Sequence, residues 1–139
     1  MFLTRLIYAS TITEHFNPSS LEEIIEKAAL NNEKNNVTGM LCFNRKYFLQ
    51  CIEGSRTNVN KTYNKILNDK RHTEIILLDY SEINAREFSN WSMGYVPTSR
   101  LSAQINLKFS GSSEFSPYKI SGASAYMMML ELKNSLPTV

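Results

Sequence analysis

The order of hydrophobic and polar residues along this chain predicts short strands that alternate with two amphipathic helices. The segments that we predict to be strands are 2–9, 37–43, 47–54, 73–80 and 90–96. Between them, apolar residues recur at helical spacing from about Ser19, and again from about Ser55 to Lys70. The segment 73–80 is apolar almost throughout, which favours a central position in the sheet.

The order β-α-β-β-α-β with one added strand predicts a ferredoxin-like α+β fold, in which two helices cover one face of the sheet. Ser19 and Glu22 have the spacing of a capping box at the start of the first helix. Two further helical patterns, at 101–109 and 121–133, are expected to cover the other face. We therefore predict a domain at 1–96 and a C-terminal helical extension at 97–139. The last helix is apolar nearly all round at residues 126–130, which favours self-association.

One polar residue stands inside an otherwise apolar predicted strand. In Y-F-L-Q-C-I-E-G, residues 47–54, Gln50 shares a strand face with Phe48 and Ile52 and has no obvious route to solvent. A buried amide without a hydrogen-bond partner costs about 1–3 kcal/mol, so we expect a partner. The first and third strands of the predicted sheet are central neighbours, which brings Tyr8 beside Gln50 below the groove between the helices.

A second polar residue, Asn32, occupies the next position on the apolar stripe of the first predicted helix. Taken singly, the unusual residues have ordinary explanations. Tyr8, Trp91 and Met93 suit a core, and Asn31 with Asn32 suits the end of a helix. Their co-occurrence favours a flat ligand with a polar edge, bound between the helices and the sheet.

Composition and charge count against several other classes of protein. The 139 residues include 15 basic and 13 acidic ones, with a net charge of +2, so nothing marks a nucleic-acid-binding surface. No apolar run approaches the roughly 20 residues that span a bilayer, and we expect a cytoplasmic protein. Cys42 and Cys51 lack metal-ligand spacing and are expected to be reduced and buried. The sequence has two histidines, no phosphate loop and no nucleophile motif, so we expect neither a metal nor an enzyme activity.

Six short motifs occur in order and without large gaps over residues 1–96. They are R-L-I-Y at 5–8, N-N at 31–32, N-V-T-G-M-L at 36–41, F-L-Q at 48–50 with E-G at 53–54, D-K-R-H at 69–72, and W-S-M at 91–93. Together they resemble the BLUF domain, a blue-light sensor that binds flavin. The tail, with L-K-F-S-G at 107–111, resembles short stand-alone members of cyanobacterial type, which carry two extra helices.

The resemblance implies a flavin whose isoalloxazine ring lies between the two helices. The residues that it assigns to flavin contact are Ile24 and Ile66 on the two sides of the ring, Asn31 and Asn32 at its polar edge, Gln50 between the ring and the Tyr8 hydroxyl, and Lys65, Arg71 and His72 further out. Several relatives have arginine in place of Lys65, whose ammonium cannot form the planar contact of a guanidinium. Arg71 and His72 suit a ribityl or phosphate contact and equally a helix-terminal role. Family habit implies FAD rather than FMN or riboflavin.

The resemblance also implies a photochemical mechanism. Excited flavin takes an electron from Tyr8, Gln50 passes a proton, and the flavin returns unchanged beside a glutamine that has rotated or changed tautomer, which shifts the absorption to the red. Trp91 and Met93, in the predicted fifth strand, are the implied relay to the surface. We expect the output to be altered self-assembly or altered binding of an unidentified signalling protein.

Three other interpretations remain open. The fold also hosts RNA- and nucleotide-binding modules, although the near-neutral charge and the absence of a basic, aromatic strand motif count against one. It hosts small enzymes of acylphosphatase type, for which the fold alone offers support. The third alternative is a flavin-binding interaction protein without photochemistry.

Overall fold

The computed structural model describes residues 2–17, 19, 21–96 and 101–135. Its strands are β1 (Leu3–Ile12), β2 (Thr38–Phe43), β3 (Tyr47–Ser55), β4 (His72–Ile83) and β5 (Gly94–Val96). Its α-helices are α1 (Leu21–Lys34), α2 (Arg56–Leu67), α3 (Ala103–Phe109) and α4 (Gly122–Ser135), with a turn of 3-10 helix at Pro117–Lys119. Every predicted strand and helix is present, although β5 is shorter than predicted.

The strands form one sheet in the order β4-β1-β3-β2-β5. The first four pair antiparallel, whereas the added β5 runs parallel to β2. This is the predicted ferredoxin-like α+β arrangement. β1 and β3 are central neighbours, and in their register Tyr8 lies directly opposite Gln50. The predicted meeting of these two residues is therefore built into the backbone pairing.

Side chains of the sheet divide between two cores, one on each face. The residues buried under α1 and α2 are Leu6, Tyr8, Val37, Ile52 and Val59. The larger core lies on the opposite face against the C-terminal helices, and its buried members include Met40, Leu49, Cys51, Met128, Met129 and Leu132. The prediction that the C-terminal helices cover the second face is confirmed. Cys42 and Cys51 are free and buried, and burial raises the pKa of both thiols.

The two helices above the first core begin differently. Ser55 caps α2, because its hydroxyl accepts a hydrogen bond from the Asn58 amide at 3.2 Å. The predicted capping box of α1 is wrong, since α1 begins at Leu21 and Ser19 donates its amide and hydroxyl hydrogens to Asn17 Oδ1. Residues 18 and 20, on either side of Ser19, lie outside the described residues.

The last helix, α4, docks closely on the sheet. A Cβ on Gly122 would lie 2.3 Å from the Leu78 carbonyl oxygen, so only glycine permits this approach to β4. The Arg5 guanidinium lies 3.8 Å from the centre of the Tyr126 ring and pairs with Asp79 at 2.9 Å. The predicted domain boundary falls at residues 97–100, which lie outside the described residues, and the division into two domains stays a prediction.

The predicted central position of β4 is wrong. Within the described residues β4 is an edge strand paired with β1 alone, and Ile76 and Leu77 are 50% and 46% exposed. Two register shifts against β1 interrupt its regular pairing. Side chains of a bulged strand do not alternate strictly between the two faces of the sheet. The apolar run at 73–80 in β4 therefore does not imply that both faces of this strand are buried.

The predicted fifth strand at 90–96 is shortened to Gly94–Val96, and the Trp91 backbone before it makes loop hydrogen bonds. The Trp91 amide donates to the Phe88 carbonyl, and the Gly39 amide donates to the Trp91 carbonyl, both at 2.9 Å. Trp91 and Met93 therefore precede the strand instead of belonging to it.

A buried carboxylate anchors the connection between β4 and β5. Glu53, which is fully buried at the end of β3, accepts hydrogen bonds from the amides of Glu87 and Phe88, both at 2.9 Å. The two amides bind different carboxylate oxygens, so both are needed. Phe88, which is also fully buried, is held in the larger core by this contact.

Glu53→Gln is expected to lower the free energy of unfolding by about 1–3 kcal/mol, because the amide NH₂ cannot accept a hydrogen bond and one buried backbone N–H loses its partner. Urea denaturation measures the change. Glu82→Gln is the matched control, since the Glu82 side chain is 62% exposed and its change should stay within about 0.5 kcal/mol. Equal effects of the two substitutions would contradict the anchoring role of Glu53.

Candidate functional site

A cleft of about 280 Å³ opens between α1 and α2 above the sheet. Its lining includes every residue to which the sequence assigned a flavin contact: Ile24, Asn31, Asn32, Gln50, Lys65, Ile66, Arg71 and His72. Tyr8 and Met93 line it as well. The α1 residues come together because positions three, four and seven apart lie on one helix face.

Tyr8 and Gln50 are in direct contact at the floor of the cleft. Tyr8 is 3% exposed and Gln50 is 7% exposed, and the Tyr8 hydroxyl donates a hydrogen bond to Gln50 Oε1. Gln50 Nε2 donates to Met93 Sδ at 3.5 Å. The buried amide therefore has a partner at each end, one strong and one weak, since sulfur is a weak acceptor.

The environment of Tyr8 keeps its hydroxyl protonated. Burial is the main reason that the pKa of Tyr8 lies far above its ordinary value, and the charges of Asp69 and Tyr63 raise it further. The phenol is therefore neutral at physiological pH. It can release its proton only when a chemical change, such as oxidation, makes it a much stronger acid.

Asn32 is the one buried residue at the C-terminal end of α1, and it is 4% exposed. Its Nδ2 donates a hydrogen bond to the Ser92 carbonyl at 2.8 Å. Asn32 thus links α1 to the segment that carries Met93. Asn31, by contrast, is exposed at the rim of the cleft.

Trp91 and Met93 lie on opposite sides of the sheet edge. Met93 reaches the cleft and contacts Gln50. Trp91 packs against the larger core, with its ring 6.1 Å from that of Phe88, and covers Gly94 so closely that a Cβ there would lie 1.7 Å from the indole. In this structure Met93 is the inward residue of the pair.

The polar rim of the cleft holds one ion pair and two exposed ammonium groups, those of Lys27 and Lys65. Arg71 pairs with Asp69 through several hydrogen bonds, and these hold the pKa of Asp69 below its ordinary value. Lys65 forms no ion pair with any described residue. Lys65 is therefore freer than Arg71 to meet an anionic ligand group.

His72 has both ring nitrogens engaged within the protein. Nε2 lies 2.7 Å from the Ile66 carbonyl oxygen, which can only accept, so Nε2 carries a hydrogen. Nδ1 lies 2.7 Å from Ser10 Oγ. The ring packs edge-on at 6.0 Å from both Tyr8 and Phe48. This arrangement favours a role in shaping the cleft over a contact with phosphate.

Sequence reasoning missed several residues of the site. Phe16 lines the cleft and packs edge to face against Phe48 at 5.4 Å, but nothing in the sequence around this loop phenylalanine indicates such a position. Glu53 could have been found, because the argument that singled out Gln50 applies equally to a carboxylate in an apolar strand. Ser10 gave no signal, since its bond to His72 joins residues 62 positions apart.

Two kinds of feature are absent from the part of the chain that the structure describes. No group of three or more His, Cys, Asp and Glu side chains there could hold a metal ion. None of the helices described there is both long and apolar enough to cross a bilayer.

The fold and the cleft define a small α+β ligand-binding domain with a phenol and an amide in contact at its floor. The family model described as sensors of blue light using FAD matches residues 3–94. The chain belongs to this family, the BLUF domains.

Curated relatives match the same part of the chain. It is 38% identical over 93 residues to the blue light- and temperature-regulated antirepressor BluF of Escherichia coli. It is 34% identical over 93 residues to the photoactivated adenylate cyclase subunit beta of Euglena longa. Each match covers 66% of this chain, but only 23% and 11% of the two relatives.

Solved structures resemble the chain over nearly its whole length. The photo-activated state of BlsA has a TM-score of 0.84 and 29% identity, with 99% of each chain covered. The dark state of BlrB, a BLUF protein, has a TM-score of 0.80 and 27% identity, covering 97% of this chain and 98% of that one. The likeness therefore extends to the C-terminal helices.

Asn32→Ala is expected to weaken flavin binding by about tenfold, because it would remove the amide that we expect at the edge of the ring and breaks the bond to the Ser92 carbonyl. Titration of flavin-free protein with FAD, followed by flavin fluorescence, gives the dissociation constant. Asn31→Ala should change it less than about threefold, since that side chain is exposed. Equal losses of FAD affinity in the two variants would contradict the assignment of Asn32 as the main polar contact.

Proposed function

We propose that this chain is a blue-light receptor whose flavin ring lies in the cleft and whose photochemistry uses Tyr8 and Gln50. The observation that carries the proposal is the hydrogen bond from the Tyr8 hydroxyl to Gln50 Oε1 at the floor of that cleft. A phenol and an amide buried together, with the amide reaching a third residue, form a chain along which one proton can move.

The residues of the cleft suit a flavin. Ile24 and Ile66, from facing helices, offer two apolar surfaces for the sides of a flat ring. Asn32 and Gln50 offer amides that both donate and accept, which is what the carbonyl and imide edge of an isoalloxazine requires. The cleft volume of about 280 Å³ lies at the lower end of the range of about 300–1,000 Å³ that is typical of small-molecule sites.

FAD is the proposed form of the flavin, in line with the family's description. The part beyond the ring would lie at the rim, where Lys65 is exposed and without an ion-pair partner among the described residues. Arg71, already paired with Asp69, contributes less net charge there.

When bound, the flavin supplies the absorption of blue light and an excited state that takes an electron from a nearby phenol and returns it. Tyr8 is such a phenol, buried and protonated at the cleft floor. Loss of an electron makes its hydroxyl strongly acidic, and the proton moves along the existing hydrogen bond to Gln50 Oε1. When the electron returns, the Tyr8 oxygen regains a proton from the Gln50 amide.

Gln50 does not have to return to its starting arrangement. Rotation of its amide, or a change of tautomer, exchanges the donor and acceptor ends. The end that faces Met93 Sδ then no longer donates to it, and the 3.5 Å contact is lost. Met93 is therefore the side chain that responds first. The neighbouring residues Trp91 and Ser92 keep their own backbone hydrogen bonds.

The output that we propose is a change in protein contacts, without a catalytic step in this chain. Trp91 packs against the larger core, to which α4 also contributes, so a displacement of Met93 that is passed on to the Trp91 ring would reach that core. Met127 of α4 is 57% exposed and Leu107 of α3 is also 57% exposed, which provides apolar surface for a second copy or a signalling partner.

Tyr8→Phe should retain FAD but abolish the red-shifted light state, because the donor of the proton is gone while the ring volume is kept. Absorption spectra before and after blue light measure this. Gln50→Leu should abolish the shift as well, since leucine neither donates nor accepts. Tyr63→Phe is the control, as the Tyr63 ring lies 5.9 Å from Tyr8 but outside the cleft lining. A normal red shift in Tyr8→Phe would refute the mechanism.

Illumination is expected to change the molar mass of the protein in solution, because the relay ends at helices with exposed apolar residues. Light scattering in the dark and under blue light, over a range of concentrations, measures the mass. Gln50→Leu should show the dark value under both conditions. Identical masses for the unaltered chain at every concentration would remove self-assembly as the output.

A further inference from the structure

The C-terminal segment also contacts β1 and β4, the two strands that carry Tyr8 and His72. Tyr118, in the turn Pro117–Lys119, lies beyond residues 3–94. Its hydroxyl donates a hydrogen bond to the Glu74 carbonyl at 2.8 Å and lies 2.7 Å from Thr11 Oγ1. A phenol has one hydrogen to give, so Thr11 is the donor in the second bond. We call Tyr118, Thr11 and Glu74 the latch.

The latch sits on an irregularity of the β1–β4 pairing. Ala9 pairs with Ile76 and Thr11 with Thr73, so β4 carries one residue more than β1 over this stretch. Glu74 has a φ of 55°, in the left-handed region that residues other than glycine seldom adopt. A bulge leaves local backbone groups without ladder partners. The Tyr118 hydroxyl supplies one for the Glu74 carbonyl.

The same irregularity leads directly to the cleft. Ser10 lies between the two β1 residues at which the register shifts, and its hydroxyl is 2.7 Å from His72 Nδ1. His72 starts β4, two residues before Glu74, and its ring packs against Tyr8. The position of this ring therefore depends on its bonds to Ser10 and Ile66 and, through the backbone of β4, on how the strand is held at Glu74.

A second contact keeps the latch in place. The Tyr118 ring packs edge-on against Tyr47 with the ring centres 5.6 Å apart. Burial is the main reason that the pKa of Tyr118 is raised, so its hydroxyl is protonated and can donate at physiological pH. Removing the hydroxyl alone leaves the ring contact with Tyr47 intact.

We propose that the latch fixes the β4 bulge, holds His72 against Tyr8, and thereby sets the lifetime of the light state. The claim about the lifetime of the light state rests on the proposed function. The claim that the latch fixes the β4 bulge and holds His72 does not. Gln50 must reorient beside Tyr8 during dark recovery, and a loosely held His72 leaves more room for that step. Tyr118 is thus a positioning residue through which the C-terminal segment acts on the site.

Tyr118→Phe, made in the FAD-loaded chain of 139 residues, tests the structural claim and the claim about the light state. Hydrogen exchange of the amides at 72–76 should be about two- to tenfold faster in the dark, the effect of one lost hydrogen bond. Dark recovery should be about threefold faster, with an unchanged dark spectrum and unchanged Tm. Thr11→Val, which keeps the Tyr118 bond to Glu74, should give smaller changes in the same direction.

Tyr80→Phe is the matched control, because it removes another tyrosine hydroxyl, bonded to Asn60 Nδ2 at 2.9 Å, from the same strand. It should leave both measurements unchanged. Unaltered exchange at 72–76 in Tyr118→Phe would refute the latch. Faster exchange with unaltered recovery would refute its control of the light state. If the unaltered chain showed no light-induced shift, the proposed function alone would fail, and exchange in the dark would still decide the structural claim.

Discussion

The contact between Tyr8 and Gln50 joins the two central strands of the sheet, and the functional site depends on it. Because β1 and β3 are antiparallel neighbours with these residues directly opposite, both side chains point to the same face at the same level. A slip of one residue would turn Gln50 into the opposite core. Backbone pairing therefore determines whether a proton can pass from the phenol to the amide.

The segment between β4 and β5 is held mainly by buried polar groups rather than by strand pairing. Glu53 binds the amides of Glu87 and Phe88, and Asn32 binds the Ser92 carbonyl. Met93, at the end of this segment, has only a weak contact with Gln50. A firmly held segment that ends in one weakly held side chain is suited to a switch. A small change in hydrogen bonding can move Met93 without unfolding the rest of the segment.

The C-terminal helices connect with the site in two ways. Trp91 extends the larger core beneath α4, while Tyr118 holds β1 and β4 beside His72. The contact through Trp91 would carry the light-induced change to the helices. The contact through Tyr118 would restrain the cleft. Because both end in the same helical segment, a partner that binds those helices can alter the site as well as respond to it.

The sequence by itself determined the order of the strands and helices, the two faces of β3, and the need for a partner at Gln50, because periodicity and the cost of burying an amide are local properties. It could also have indicated Glu53 by the same reasoning. Only the tertiary structure decided that β4 is an edge strand, that Met93 rather than Trp91 faces the cleft, and that Tyr118 meets Glu74. These outcomes depend on register shifts and on backbone groups left without ladder partners, which arise when distant segments pair and leave no mark in the local pattern.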